Sequence, residues 1–120
     1  MKILTLQIKR NFLDQILAGE KTDEFRDILP KNEKKYCKIV YHKDQDAYEV
    51  TEVVKYDAIR FFNGYKTDRP EVLIEIKNAF VDFEVNEDGE CIEWEMEDGT
   101  TYPICCMVYQ LGKVLERKNI

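Results

Sequence analysis

Short β-prone runs, broken at near-regular intervals by turn residues, make up most of this chain, and only one early segment has helical spacing. Apolar alternation or β-branched and aromatic enrichment marks residues 3–9, 22–27, 36–41, 48–54, 56–62, 72–81, 81–85, 91–96, 100–102 and 105–111 as strands. Between them lie Pro30 and the polar stretch after it, the 43–46 turn, Asn63-Gly64, Asp68-Arg69-Pro70, the 86–89 turn and Glu97-Asp98-Gly99. Residues 113–120 read as a charged end, partly strand and then frayed. In the early segment Phe12, Leu13, Ile16 and Leu17 recur on one helical face. Asn11 is positioned as its N-cap, with Asp14 in the first turn, and Gly19 falls where a helix stop needs a left-handed residue. Such a pattern predicts an α+β, mainly β fold: a small β-barrel or strongly bent sheet with one short N-terminal helix at its mouth.

The length, 120 residues, suits one domain, and 44% apolar residues supply a core without help from metal or disulfides. No repeat, linker or low-complexity segment divides the chain, so residues 1–120 are read as one domain. The net charge of -6 argues against non-specific grip on long nucleic acid, which needs a basic surface. It favours a small ligand or a specific nucleotide held in a local basic pocket. Cys37, Cys91, Cys105 and Cys106 form no C-x-x-C pair, and His42 is the single histidine, so zinc spacing is lacking and no cofactor is called for. Of the adjacent Cys105 and Cys106, at least one is expected inside as a small apolar residue. The absence of a long apolar run or secretory segment leads to the expectation of a cytoplasmic protein with reduced thiols and no membrane partner.

The densest cluster of chemistry lies at residues 19–26. Gly19 lets the chain turn sharply after the helix. Lys21 follows in the turn, and Glu24 and Arg26 lie two apart on one strand face with Thr22, while Asp23, Phe25 and Asp27 take the other. Phe25 is the only apolar residue of this strand, which predicts a half-covered element. A mobile ammonium, an acceptor carboxylate and a guanidinium fork suit a nucleobase or phosphate. The same spacing also fits a solvated strand face, with Glu24 and Arg26 as a surface pair worth about 0–1 kcal/mol and Lys21 satisfying helix-end carbonyls.

Gly19, Lys21, Glu24 and Arg26 together spell G-x-K-x-x-E-x-R after an apolar strand and a short helix, and residues 3–26 thereby resemble the opening of the ASCH family. Residues 56–65, ending in Asn63-Gly64-Tyr65, are similar to that family's central strand, and residues 71–79 and 107–115 to later strands. Residues 81–103 look like an inserted hairpin. The resemblance implies a PUA-like β-barrel whose cleft is lined by the motif, with RNA or a nucleotide or nucleoside as ligand. It implies binding through Lys9, Lys21, Glu24, Arg26, Asn63 and Tyr65, in RNA metabolism or regulation. One branch of the family removes the acetyl group of N4-acetylcytidine with the motif lysine, a threonine three residues later and a distant glutamate. Lys21 matches the lysine, and the threonine position holds Glu24. Another branch is linked to RNA cleavage. In a ribonuclease of that kind Lys21 and Glu24 would be the charge stabiliser and general base, and the same two are the catalytic candidates should the chain be an amidohydrolase.

Three further features have two readings each. Arg60 and Phe62 share one face of their strand and Ile59 and Phe61 the other; an aromatic on the open face would stack a base, although core packing is the commoner fate. His42 reads as a solvent-exposed side chain. Trp94, with Ile92 and Met96, faces away from Glu93, Glu95 and Glu97; it either packs the hairpin down or offers a protein-interaction surface. Oligomeric state is not encoded in any of these patterns.

Overall fold

A computed structural model describes all 120 residues and shows a mainly β protein. In chain order the elements are β1 (Ile3–Gln7), α1 (Arg10–Leu17), β2 (Asp23–Ile28), α2 (Glu33–Tyr36), β3 (Cys37–His42), β4 (Ala47–Val53), β5 (Ala58–Phe62), β6 (Glu71–Phe83), β7 (Glu93–Glu95), β8 (Thr101–Pro103) and β9 (Cys105–Lys118). They form a five-stranded sheet in the order β1-β5-β6-β9-β2 and two two-stranded sheets, β3-β4 and β7-β8. All three sheets are open; none closes into a barrel. The residues group into two compact units, Met1–Glu24 with Lys55–Ala79 and Tyr109–Ile120, and Phe25–Val54 with Phe80–Val108.

The first unit is built on a parallel pair. β1 runs alongside β5 with Ile3 opposite Ala58 and Gln7 opposite Phe62, and β5 pairs antiparallel with β6 from Ala58↔Glu75 to Phe62↔Glu71. Strand alternation puts Leu4, Leu6, Ile59, Phe61, Val72 and Ile74 on one face, and all are buried. The helix adds Leu13 and Ile16 to that core. Thr5, Gln7, Arg60, Phe62 and Glu71 take the opposite, wetter face. At Gly112 in β9 a β-carbon would come within 2.3 Å of Glu75 Oε1, so any larger residue there would have to push the Glu75 side chain aside.

In the second unit β3 and β4 form an antiparallel hairpin closed by the 43–46 turn, where Asp46 takes a positive φ of 47°. The rings of Tyr41 and Tyr48, directly opposite in register, stand 5.0 Å apart. β7 and β8 form a second hairpin around Gly99, with Trp94 opposite Tyr102. Its anchors are polar: Tyr102 donates to Glu33 Oε1 at 2.5 Å, and Tyr48 donates to Glu93. Tyr36, Cys37, Cys105, Met107 and Val108 are the buried residues of this unit, together with Ile28 and Pro103.

Four expectations are corrected. The helix starts at Arg10, with Lys9 rather than Asn11 as N-cap. The chain turns directly after Ile8, whose N–H is held by Phe62 O at 2.9 Å, so Lys9 O accepts the first helical bonds from Phe12 and Leu13. The loop after Pro30 contains the one-turn helix α2, and Tyr36 closes it instead of opening β3. β6 and β9 are longer than their alternation indicated, at 13 and 14 residues. On β2 it is the charged face that is covered: Glu24 and Ile28 are buried, whereas Phe25 is 53% exposed.

Candidate functional site

The 19–26 motif begins at a helix stop of Schellman type. Gly19 sits at φ +76°, its N–H donates to Ile16 O at 3.1 Å, and the Glu20 N–H donates to Gln15 O at 2.9 Å. The Lys21 N–H also reaches Gln15 O, at 3.1 Å. Backbone donors thus cap Gln15 O and Ile16 O at the helix end. The Lys21 ammonium donates to Asp23 O at 2.7 Å and stands 5.7 Å from the centre of the Phe12 ring. A carbonyl and a ring face together fix a half-buried cation beside α1.

Glu24 follows on β2 at 6% exposure. Withdrawing a carboxylate from water costs several kcal/mol unless charge and hydrogen bonds compensate. The solvated-face reading of this residue is therefore wrong. Arg26, half-buried two residues further along β2, belongs to the second unit.

Lys9, Asn63 and Tyr65 meet at the carboxyl end of the parallel β1–β5 pair. The Asn63 side-chain amide donates to Ile8 O at 2.8 Å, and its backbone N–H donates to Pro70 O at 3.1 Å. Gly64 then turns the chain at φ +83°, and the Tyr65 hydroxyl donates to Gln7 Oε1 at 2.9 Å. Tyr65 is otherwise in water, 81% exposed. Lys9, exposed, caps α1 at the same strand end. Tethering of 63–65 to β1 explains why Asn-Gly-Tyr follows β5: the amide replaces a missing ladder bond at Ile8, and glycine permits the reversal.

Sequence reasoning missed a neighbouring group. The Arg69 guanidinium carbon lies 4.0 Å from the centre of the Phe62 ring, and its Nε donates to Glu71 Oε1 at 2.9 Å. That hydrogen bond holds the Glu71 carboxyl below its ordinary pKa. Arg60 reaches Glu71 at 3.8 Å and Glu116 at 3.9 Å. Asp68-Arg69-Pro70 reads as a plain loop, and no periodicity links a loop arginine to a strand phenylalanine.

Charge is divided unevenly. The first unit carries 12 Lys and Arg against 9 Asp and Glu, a net +3, and the second 6 against 15, a net -9. The acidity of the chain therefore belongs to the second unit, above all to residues 78–112, which hold nine acids and no base. At the amino end of the β1–β5 pair, an open cleft of about 590 Å³ is lined by Met1, Lys55, Tyr56, Asp57, Glu75, Ile76 and Leu115. None of the sequence-predicted site residues lines it. The notable cysteines sit in the second unit, where burial pushes the Cys37 thiol up to about 11 and Cys105 up to about 12.

A scan against protein-family models gives no match, and searches of curated proteins and of solved structures give none either. No helix is long and apolar enough to cross a membrane.

Proposed function

We propose that this chain is an ASCH-type, PUA-like module that binds RNA or a nucleotide through Lys9, Lys21, Glu24, Asn63 and Tyr65. Arg26 stays in the reading through the motif alone. The PUA-like barrel implied by the resemblance belongs to the same proposal. The burial of Glu24 carries it. A chain selected only for stability would place an apolar residue on the covered face of β2, beside Ile28. Departures of this kind from folding rules concentrate at functional sites. The net +3 of the unit that holds Lys9 and Lys21 supports an anionic ligand despite the acidic whole.

In this reading Lys21 supplies a positioned positive charge, Glu24 accepts from an exocyclic amine, and Lys9 meets phosphate at the first turn of α1. The test is titration of the full chain with labelled short RNAs and with mononucleotides. Lys21→Ala should weaken binding about tenfold or more while the thermal transition stays cooperative. If Lys21→Ala and Arg26→Ala both bind like wild type, the motif is not the site. Incubation with N4-acetylcytidine belongs in the same experiment: cytidine that forms with wild type and not with Lys21→Ala would convert the reading to a hydrolase.

A second reading, a protein-interaction module, draws on the hairpin of the second unit. Trp94 is 47% exposed within the base-free acidic stretch, which suits a basic partner with an apolar anchor. Trp94→Ala would then change association in a sizing experiment and leave nucleotide binding untouched.

A further inference from the structure

The wet face of the β1–β5 pair carries an unusual set of flat groups. Gln7 lies opposite Phe62 and Thr5 opposite Arg60 in the parallel register, and both pairs point away from the core formed by Leu4, Leu6, Ile59 and Phe61. Arg69 stacks on the Phe62 ring at 4.0 Å and is fixed there by Glu71. Its backbone is held as well: the N–H donates to Lys66 O at 3.1 Å, and its carbonyl accepts from the Asn119 amide at 3.0 Å. Tyr65 comes over the same face through its hydroxyl bond to Gln7. The strand end thus presents a guanidinium layered on a phenyl ring, and a phenol ring, 81% exposed, tethered through its hydroxyl to Gln7, the residue opposite that phenylalanine.

We infer that this face is a stacking platform for an unpaired nucleobase, with Tyr65 and the Phe62–Arg69 layer as its planar surfaces. The inference deepens the nucleotide-binding reading and rests on it. An exposed aromatic held by its own hydroxyl costs little further ordering when a planar ligand settles on it. A guanidinium already flat on a ring offers its outer face to a second flat partner. Local charge points to the base rather than the phosphate. Arg60 and Arg69 are already paired with carboxylates, Glu71 for both and Glu116 for Arg60, so what the guanidiniums have left to offer is a flat face. Stacking tolerates any base, and edge contacts with Gln7 or Arg60 would add preference.

Both sources of such a base, a single strand and a free nucleotide, enter the experiment. The full chain is titrated with a short single-stranded RNA containing 2-aminopurine, with an abasic oligomer of equal length, and with AMP and CMP. Stacking quenches 2-aminopurine fluorescence. Wild type should quench it and bind the base-bearing RNA more tightly than the abasic oligomer. Tyr65→Ala should lose about tenfold in affinity for the RNA and most of the quenching, and should lose less for the abasic oligomer. Tyr65→Phe, which keeps the ring and loses the Gln7 tether, should fall between. The same Tyr65 dependence for AMP or CMP would assign the base to a free nucleotide. Equal binding of RNA and abasic oligomer, or Tyr65→Ala and Arg69→Ala both quenching like wild type, would overturn the platform and leave the motif reading standing. No binding of any of these ligands by wild type would remove both.

Discussion

Substituting Gly19 separates the backbone role of the motif glycine from any role in contact. At φ +76° an L-residue is strained, yet a β-carbon there would meet nothing within 4 Å. Gly19→Ala therefore adds no clash, and its cost is the local left-handed penalty of roughly 1–2 kcal/mol. Alanine also restricts the unfolded chain, which returns about 0.4–1 kcal/mol, so the net loss should be near 1 kcal/mol. For a domain of this size that lowers the melting temperature by about 4 °C. Asparagine tolerates this conformation better than alanine, so Gly19→Asn should cost about half as much. Gly112 provides a control with the opposite cause, since a β-carbon there would come 2.3 Å from Glu75 Oε1. Gly112→Ala should recover part of its loss in a Glu75→Ala background, and Gly19→Ala should not. Urea melts of the four variants and the two combinations measure all of this. A Gly19→Ala protein as stable as wild type, or less stable with asparagine than with alanine, would refute the assignment of Gly19 as a conformational stop.

Glu24→Gln keeps the shape of a buried side chain and removes its charge, so it should retain a cooperative melt while nucleotide affinity falls about tenfold, read by titration. Burial raises the Cys37 thiol to about 11 and Cys105 to about 12, so at mildly alkaline pH each is thiolate in roughly one molecule per thousand or fewer. Mass spectrometry after brief iodoacetamide treatment should find half-exposed Cys91 alkylated first, and equal rates in folded protein would contradict the burial. Tyr48 is raised to about 12, first by burial and then by its bond to Glu93, and Tyr102 is raised further by burial and Glu33. Their folded values lie above the unfolded value near 10, so the unfolded chain loses these protons first. Stability should hold below pH 10 and decline as pH climbs through about 12. Tyrosinate absorbance tracking the loss of tertiary signal is the check, and full ionisation of every tyrosine near pH 10 in folded protein would count against it.

Much of the strand content was legible because alternation of two needs no tertiary information, as in β4, β5 and β6, and because the 86–89 and 97–99 turns carry glycines that adopt positive φ. Gly19 was legible for the same reason. The helix start was not: Lys9 lacks a capping side chain, and its position is set by the Ile8–Phe62 bond, across 54 residues of chain. Four residues of α2 are too few to display a period. Burial on β2 defeated the usual rule that the apolar face goes inward, because the covered side carries Glu24 and the exposed side Phe25. Of the site, the motif and the Asn-Gly-Tyr turn were visible as residue types. The tether of Tyr65 to Gln7 and the layering of Arg69 on Phe62 depend on strand order, which no local pattern encodes.

That strand order also sets a schedule. β9 lies between β6 and β2, and the Leu111 N–H pairs with Thr22 O at 2.9 Å. During synthesis β1, α1 and β2 emerge first, but β1 must wait for residue 62 to find its neighbour and β2 for residue 111. The nascent motif therefore spends most of translation on an unpaired strand, and the first unit is completed only when β9 emerges. Loop closures of this span are slow, and a ribosome-bound chain would expose the bare edges of β2 until then. Arrest of synthesis before β9, followed by pulse proteolysis, should find residues 19–24 cleavable even when β3 and β4 are already protected.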